Sequence, residues 1–227
     1  MSKDSQYLAI IDLGSNSVRL KIDQINLDGS YQTKQYEKRY VRLSSDMGPE
    51  KILKPEPIKR TLKALTEFRQ ICDQYKHLKI LAVATAAVRQ AQNQSDFLQQ
   101  VQEKTGFVIH VISGEQEAYL DYIGVSHTLA LKNGAILDTG GASMEIILVN
   151  DGQAEEVVSI PLGSVLLSQR YDLGDQISAT NLFNAIVKVD QVLSKELWLN
   201  RVRHGELVAL GGCNRALAKI FRWQQAV

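Results

Sequence analysis

Ile11-Asp12-Leu13-Gly14-Ser15-Asn16-Ser17-Val18-Arg19-Leu20, near the start of the chain, and Leu137-Asp138-Thr139-Gly140-Gly141-Ala142-Ser143-Met144-Glu145-Ile146, past its middle, carry one pattern twice. In each, an aspartate ends an apolar strand, a glycine follows two residues later, a serine follows three after that, and a second apolar strand begins. Glycine lets the backbone turn tightly and approach an anion. Consecutive N–H groups and a hydroxyl point into such a turn, and the aspartate can hold a cation that neutralises a phosphate. Each stretch therefore reads as a phosphate grip, and two of them facing each other would clamp a phosphate chain between two half-molecules.

The sequence around each grip repeats as well. In the first half, Tyr7 to Leu13 is an apolar strand, and Val18 to Leu27 places Val18, Leu20 and Ile22 on one side. Asp28-Gly29 supplies a hairpin turn and Tyr31 to Leu43 the returning strand. From Pro57 the period changes to three and four, through Ile58, Leu62, Leu65, Cys72 and Tyr75, which predicts an amphipathic helix. Lys79 to Ala84 reads as a buried strand, Ser95 as the cap of a helix running to about Lys104, and Phe107 to Ile112 as a strand. The second half gives strands over Ala135 to Asp138, Ser143 to Val149 and Glu155 to Ile160, with a turn at Asn150-Asp151-Gly152. Helices follow over Gly163 to Tyr171 and Thr180 to Leu197, then a strand over Glu206 to Leu210 and a glycine turn into a helix from Asn214. A three-strand meander followed by helix, strand and helix, given twice, predicts two duplicated α/β domains, 1–122 and 123–227. The stretch from Ser44 to Pro57, with three prolines and one glycine, reads either as a loop skirting the cleft mouth or as a plain connection.

Composition agrees with this reading. The 227 residues suffice for two small domains that each bury a core, and 44% apolar with 22% charged residues is ordinary for a globular protein. The formal net charge is +1, so attraction for a polyanion has to come from a local cleft rather than the global field. No basic stripe with interleaved aromatics points to nucleic acid. Cys72 and Cys213 form neither a disulfide framework nor a zinc site, which favours a reducing, cytoplasmic setting. Met1 to Gln6 lead into a strand without a signal-peptide core, and no apolar run is long enough to span a membrane. His77, His110, His127 and His204 are scattered and read as structural or exposed.

Six segments, in order, resemble the exopolyphosphatase and guanosine pentaphosphate phosphatase (Ppx/GppA) family. They are Ile11 to Arg19, Ala84 to Ala91, Ser113 to Ala118, Asp138 to Glu145, Pro161-Leu162-Gly163 and Gly211-Gly212-Cys213-Asn214-Arg215. The resemblance implies the actin, heat-shock ATPase and sugar-kinase superfamily, with two ribonuclease-H-like domains and a phosphate-binding cleft between them. It implies Mg²⁺-dependent release of terminal orthophosphate from inorganic polyphosphate, or of the 5′ γ-phosphate from guanosine pentaphosphate. It also implies a catalytic base at Glu117. The residues support that role: Ser113 and Gln116 form a capping-box pattern, so a helix starts there and its N-terminus favours an ionised carboxylate at Glu117.

Within that frame Asp12, Asp138 and Glu145 are the expected shell of one or more Mg²⁺ ions, since hard oxygen ligands suit that ion. The expected phosphate contacts are Gly14, Ser15, Asn16, Ser17, Gly140, Gly141, Ser143, Gly211 and Gly212, with Arg19 and Arg89 adding charge-assisted hydrogen bonds. A non-hydrolytic binder of polyphosphate or alarmone nucleotides is the alternative from another class, and a sugar kinase or heat-shock-type ATPase shares the fold. Several positions depart from the family pattern. Ala142 and Met144 stand where glycine and threonine are common, Cys213 where threonine is usual, Tyr119 and Leu166 where arginine is frequent, and Ser44 where glycine is common. The second domain is expected to be incomplete at Val227. Leu217, Ile220, Phe221 and Trp223 would then be short of packing partners, favouring self-association, with a homodimer as the form open to it.

Overall fold

The computed structural model describes residues 6–202 and 205–225, and two compact units divide the chain, the first ending at Ile112 and the second starting at Ser113. The first six residues named above, apart from Gln6, and His204 lie outside the described residues. The first unit holds β1 (Gln6–Leu13), β2 (Ser17–Ile25), β3 (Tyr31–Tyr40), α1 (Pro55–Cys72), β4 (Leu78–Ala84), α2 (Ala86–Arg89), α3 (Gln94–Thr105) and β5 (Ile109–Val111). Its sheet has the order β3-β2-β1-β4-β5, antiparallel across the first three strands and parallel from β1 through β4 to β5. Alternation decides which face is covered. Ala9, Ile11 and Leu13 of β1 and Val18, Leu20 and Ile22 of β2 are fully buried, and they pack with Leu65 and Phe68 of α1 and Phe97 and Val101 of α3.

The second unit holds α4 (Gly114–Ser126), β6 (Gly134–Thr139), β7 (Met144–Asn150), β8 (Gln153–Ile160), α5 (Ser164–Arg170), α6 (Ala179–Leu193), a 3₁₀ turn (Leu197–Val202), β9 (Glu206–Leu210) and α7 (Gly211–Gln225). Its sheet order, β8-β7-β6-β9, repeats the first sheet with the same senses, so the duplicated ribonuclease-H-like plan is present in both units. The division falls ten residues before position 122 because α4 packs on the second sheet. Ala118, Tyr122 and Val125 are buried with Ile136, Ile147 and Val149, and the Tyr122 hydroxyl donates to the Gly152 carbonyl at 3.0 Å.

Several element ends differ from the sequence expectation for local reasons. β3 stops at Tyr40 rather than Leu43 because the N–H groups of Val41 and Arg42 turn away from the ladder to the Asn16 carbonyl. α3 starts at Gln94, so Ser95 lies inside its first turn. The cap position is Asn93, whose side chain instead accepts from the Leu53 N–H at 2.9 Å and donates to the Leu53 carbonyl at 3.0 Å. Those two bonds anchor 41–54, a stretch that also buries Leu43, Met47 and Leu53. Glycine 106, at φ 68°, ends α3, and β5 is only Ile109–Val111. The expected helix to Leu197 ends at Leu193, and α7 starts at Gly211, whose φ of 87° is the expected glycine turn, rather than at Asn214. The hairpin turns at Asp28-Gly29 and Asp151-Gly152 form as expected, with Gly29, Asp151 and Gly152 at positive φ.

Candidate functional site

The two glycine turns are closed by the same bond. The Gly14 N–H donates to the Ser17 carbonyl at 3.1 Å, and the Gly140 N–H donates to the Ser143 carbonyl at 3.0 Å. A Cβ on Gly14 would stand 3.2 Å from the Ser17 oxygen and one on Gly140 would stand 3.0 Å from the Ser143 oxygen, so the close approach, not an unusual φ, is what calls for glycine.

Behind each turn the carbonyls are tied to protein. In the first unit the Ser15 carbonyl accepts from the Ser44 N–H at 3.1 Å and its hydroxyl at 3.3 Å, while the Asn16 carbonyl accepts from the N–H groups of Val41 and Arg42 at 3.1 and 2.9 Å. In the second unit the Gly140 carbonyl accepts from the Ser164 N–H and hydroxyl at 3.0 and 3.1 Å, and the Gly141 carbonyl accepts from Val165 and Leu166 at 2.9 and 3.2 Å. The N–H groups of Ser15, Asn16, Gly141 and Ala142 donate to no backbone carbonyl among the described residues. A turn whose carbonyls are satisfied from behind and whose N–H groups are not is what anion binding requires.

The supports differ in kind. Residues 41–44 hold the first turn, whereas the first turn of α5 holds the second. Gly163 makes that possible, because a Cβ there would collide with the backbone of Gly141 and Ala142. Residues 41–44 and 163–166 therefore act as backing for the turns, a role the sequence reading did not assign. The signal available was position, since Pro161-Leu162-Gly163 immediately precedes the donors Ser164, Val165 and Leu166.

Across the strands the two hairpins part company. Asp12 lies opposite Arg19 in the β1–β2 register, and Arg19 Nη1 donates to Asp12 Oδ2 at 3.0 Å. The Asp12 side chain keeps 34% of its surface. Burial pushes that carboxyl above the usual carboxylate range, and the Arg19 guanidinium pulls it part of the way back. In the second unit Asp138 lies opposite Glu145, so two carboxylates occupy the equivalent positions. Glu145 is 1% exposed, and its Oε1 accepts from the Ser159 hydroxyl at 2.7 Å.

Gly211 closes on the same corner. Its φ is 87°, and a Cβ there would stand 2.6 Å from Asp138 Oδ1 and 2.7 Å from the Thr139 carbonyl oxygen. Asn214, one turn into α7, donates to Thr139 Oγ1 at 3.2 Å and to the Leu210 carbonyl at 2.6 Å. Gly211 and Gly212 thus stand at a helix start beside Asp138.

Glu117 is half-buried in the first turn of α4, and the capping box is formed. The Ser113 hydroxyl accepts from the Gln116 N–H at 3.0 Å, and the Gln116 side chain accepts from the Ser113 N–H at 2.9 Å. Of the two arginines expected on phosphate, Arg19 is engaged by Asp12, and Arg89 Nη1 donates to the Ile112 carbonyl at 2.9 Å. Arg89 therefore holds the last residue of the first unit, immediately before the capping box.

Among the described residues no group of three or more His, Cys, Asp or Glu side chains is placed to hold a metal ion. The Asp138–Glu145 pair still fits Mg²⁺, which is commonly held by one or two carboxylates with water and substrate phosphate completing its shell. Cys72 and Cys213 are both free thiols, and no helix among the described residues is long and apolar enough to cross a membrane.

Comparison with known proteins sets this geometry in a family. The model of the Ppx/GppA phosphatase family matches residues 22–226. A guanosine-5′-triphosphate,3′-diphosphate pyrophosphatase of Vibrio cholerae is 35% identical over 190 residues, which is 83% of this chain and 38% of the relative. The chain thus spans about two fifths of that relative's length. Among solved structures, a Ppx/GppA family member of Aquifex aeolicus is 30% identical with a TM-score of 0.69, covering 92% of this chain and 67% of the other. An exopolyphosphatase of Cytophaga hutchinsonii is 26% identical with a TM-score of 0.86, covering 97% and 72%.

Proposed function

The chain belongs to the Ppx/GppA phosphatase family, and we propose that it releases terminal orthophosphate from inorganic polyphosphate by in-line attack of water. The observation that carries this reading is the pair of turns, in which the carbonyls are tied from behind while successive N–H groups are left to donate. In this reading each turn offers its N–H groups to phosphate oxygen. The Glu117 carboxylate, in the first turn of α4, orients the attacking water and takes its proton. Asp138 and Glu145 would hold Mg²⁺, which when bound neutralises phosphate charge and so eases departure of the shortened chain. Arg19, oriented by Asp12, presents its remaining donors to phosphate oxygen, and Arg89 holds the end of the first unit through the Ile112 carbonyl.

The second reading, a guanosine pentaphosphate 5′-phosphohydrolase, is supported equally by the Vibrio relative and uses the same groups on a nucleotide-bearing phosphate chain. Orthophosphate release with Mg²⁺, from long-chain polyphosphate and from guanosine pentaphosphate, tests both. Glu117→Ala is expected to lose about 10²–10⁴-fold in turnover while keeping its affinity for substrate. Release that persists in the variant would remove Glu117 from its role. Binding without release by the parent chain would make the protein a sensor of these phosphates.

A further inference from the structure

Away from the glycine turns, the first unit carries an open groove of about 660 Å³ that none of the roles above uses. Ile58 and Leu62 of α1 form its floor, and Lys54, Lys59, Lys63 and Lys104 line it. No aspartate or glutamate is among its lining residues, and none of the four lysines is in an ion pair with a carboxylate among the described residues. In a chain with a formal net charge of +1 this is a local concentration of uncompensated positive charge. Lys59, Lys63 and Lys104 are exposed, and apolar surface beside them suits their aliphatic stems while the ammonium groups stay available to an anion.

The groove is joined to the first glycine turn through the chain itself. Segment 41–54 binds the Ser15 and Asn16 carbonyls at one end, and at the other it supplies Leu53 and Lys54 to the groove wall, locked there by Asn93. Arg42 and Lys51 are exposed along it. Asp46 and Glu50 are exposed along it too, so the segment has no net charge between Arg42 and Lys51, and its part is to tie a turn suited to a terminal phosphate to the groove wall.

We propose that this groove is an accessory polyanion site that holds the distal part of a long inorganic polyphosphate chain. This rests on the phosphatase reading and deepens it, because such a site gives long polyphosphate contacts that guanosine pentaphosphate is too short to share. It assigns a chain-length preference to the first unit. The ligand is identified by charge complementarity alone: a flexible, unbranched polyanion matches a row of mobile ammonium groups, which act as point charges and demand no fixed geometry.

The test is a variant of the full chain with Lys54→Gln, Lys59→Gln, Lys63→Gln and Lys104→Gln, which keeps helix propensity and the side-chain stems. Binding of long-chain polyphosphate, followed directly across a salt series, is expected to weaken at least about tenfold at low salt, with the salt slope falling by up to about one per lysine removed. Hydrolysis of tripolyphosphate is expected to match the parent. Unchanged long-chain affinity would overturn the proposal, as would an equal loss for tripolyphosphate, which would make the lysines a general field rather than a site. Lysine-dependent capture of anionic lipid vesicles in place of polyphosphate would also overturn it and assign the groove to a membrane surface. A parent chain that hydrolyses nothing yet loses long-chain binding in the variant would keep the groove and discard the phosphatase reading.

Discussion

The hairpin at Asp12 and the hairpin at Asp138 share backbone geometry to within 0.1 Å in their closing bond, 3.1 against 3.0 Å, but they carry opposite electrostatics. The first sets an aspartate against Arg19, a pair that is neutral as a unit. The second sets an aspartate against the buried Glu145, so two carboxyl side chains face each other across the strands. The two hairpins share the turn backbone and differ in the cross-strand partner of the aspartate. On this account the second hairpin takes the metal and the first takes phosphate through an arginine that its aspartate orients. On this proposal Asp138 and Glu145, of the expected shell of Asp12, Asp138 and Glu145, are the two that face each other across the strands.

The largest effect should come from removing one carboxylate of the second pair. Glu145→Gln is expected to cut Mg²⁺-dependent turnover on the order of 10³-fold, because the several kcal/mol that a metal supplies to a phosphoryl transition state go with it. It should also abolish the rise in Tm that Mg²⁺ gives the parent, a rise worth about 2.7 kcal/mol at a hundred times Kd. Thermal melts with and without Mg²⁺ check this.

Next in size is Gly163→Ala. A methyl group driven into the backbone of Gly141 and Ala142 should destabilise the second unit by about 1–3 kcal/mol, read as a shifted denaturation midpoint, and should spoil the second turn. The first turn has no such glycine behind it, so Ser44→Ala, which removes only the 3.3 Å hydroxyl bond to Ser15, should cost no more than about 1 kcal/mol.

The smallest and most discriminating effect concerns pH. The folded Asp12 carboxyl sits above its ordinary value of 3.8, so the folded chain binds more protons there than the unfolded chain. Its cost to stability is absent below 3.8 and grows to its full size as pH rises through the raised folded value. Asp12→Asn should therefore flatten the stability profile in that window and lower affinity for phosphate by releasing Arg19, while leaving metal binding in place. A variant that lost Mg²⁺ as Glu145→Gln does would break the distinction between the hairpins.

Much of this was legible from sequence, and the reason lies in which features are local. Alternation in β1 and β2, the turns at Asp28-Gly29 and Asp151-Gly152, the strand Glu206–Leu210 and the capping box at Ser113 depend on residues a few positions apart, and they formed as expected. The ends of β3 and α3 did not, because each is settled by a distant partner, Asn16 for the one and Leu53 for the other. The same holds in the site. The glycine turns could be read directly, whereas the engagement of Arg19 by Asp12, the burial of Glu145 and the close approaches of Gly163 and Gly211 depend on strand register and on segments brought in from elsewhere.

The most direct test of the difference between the hairpins is divalent-metal binding with Mn²⁺ as a spectroscopic stand-in for Mg²⁺, measured on the parent chain, Asp12→Asn and Glu145→Gln. The account predicts that Asp12→Asn binds the ion as the parent does and that Glu145→Gln does not. Loss of binding in Asp12→Asn with retention in Glu145→Gln would contradict it and move the metal to the first hairpin.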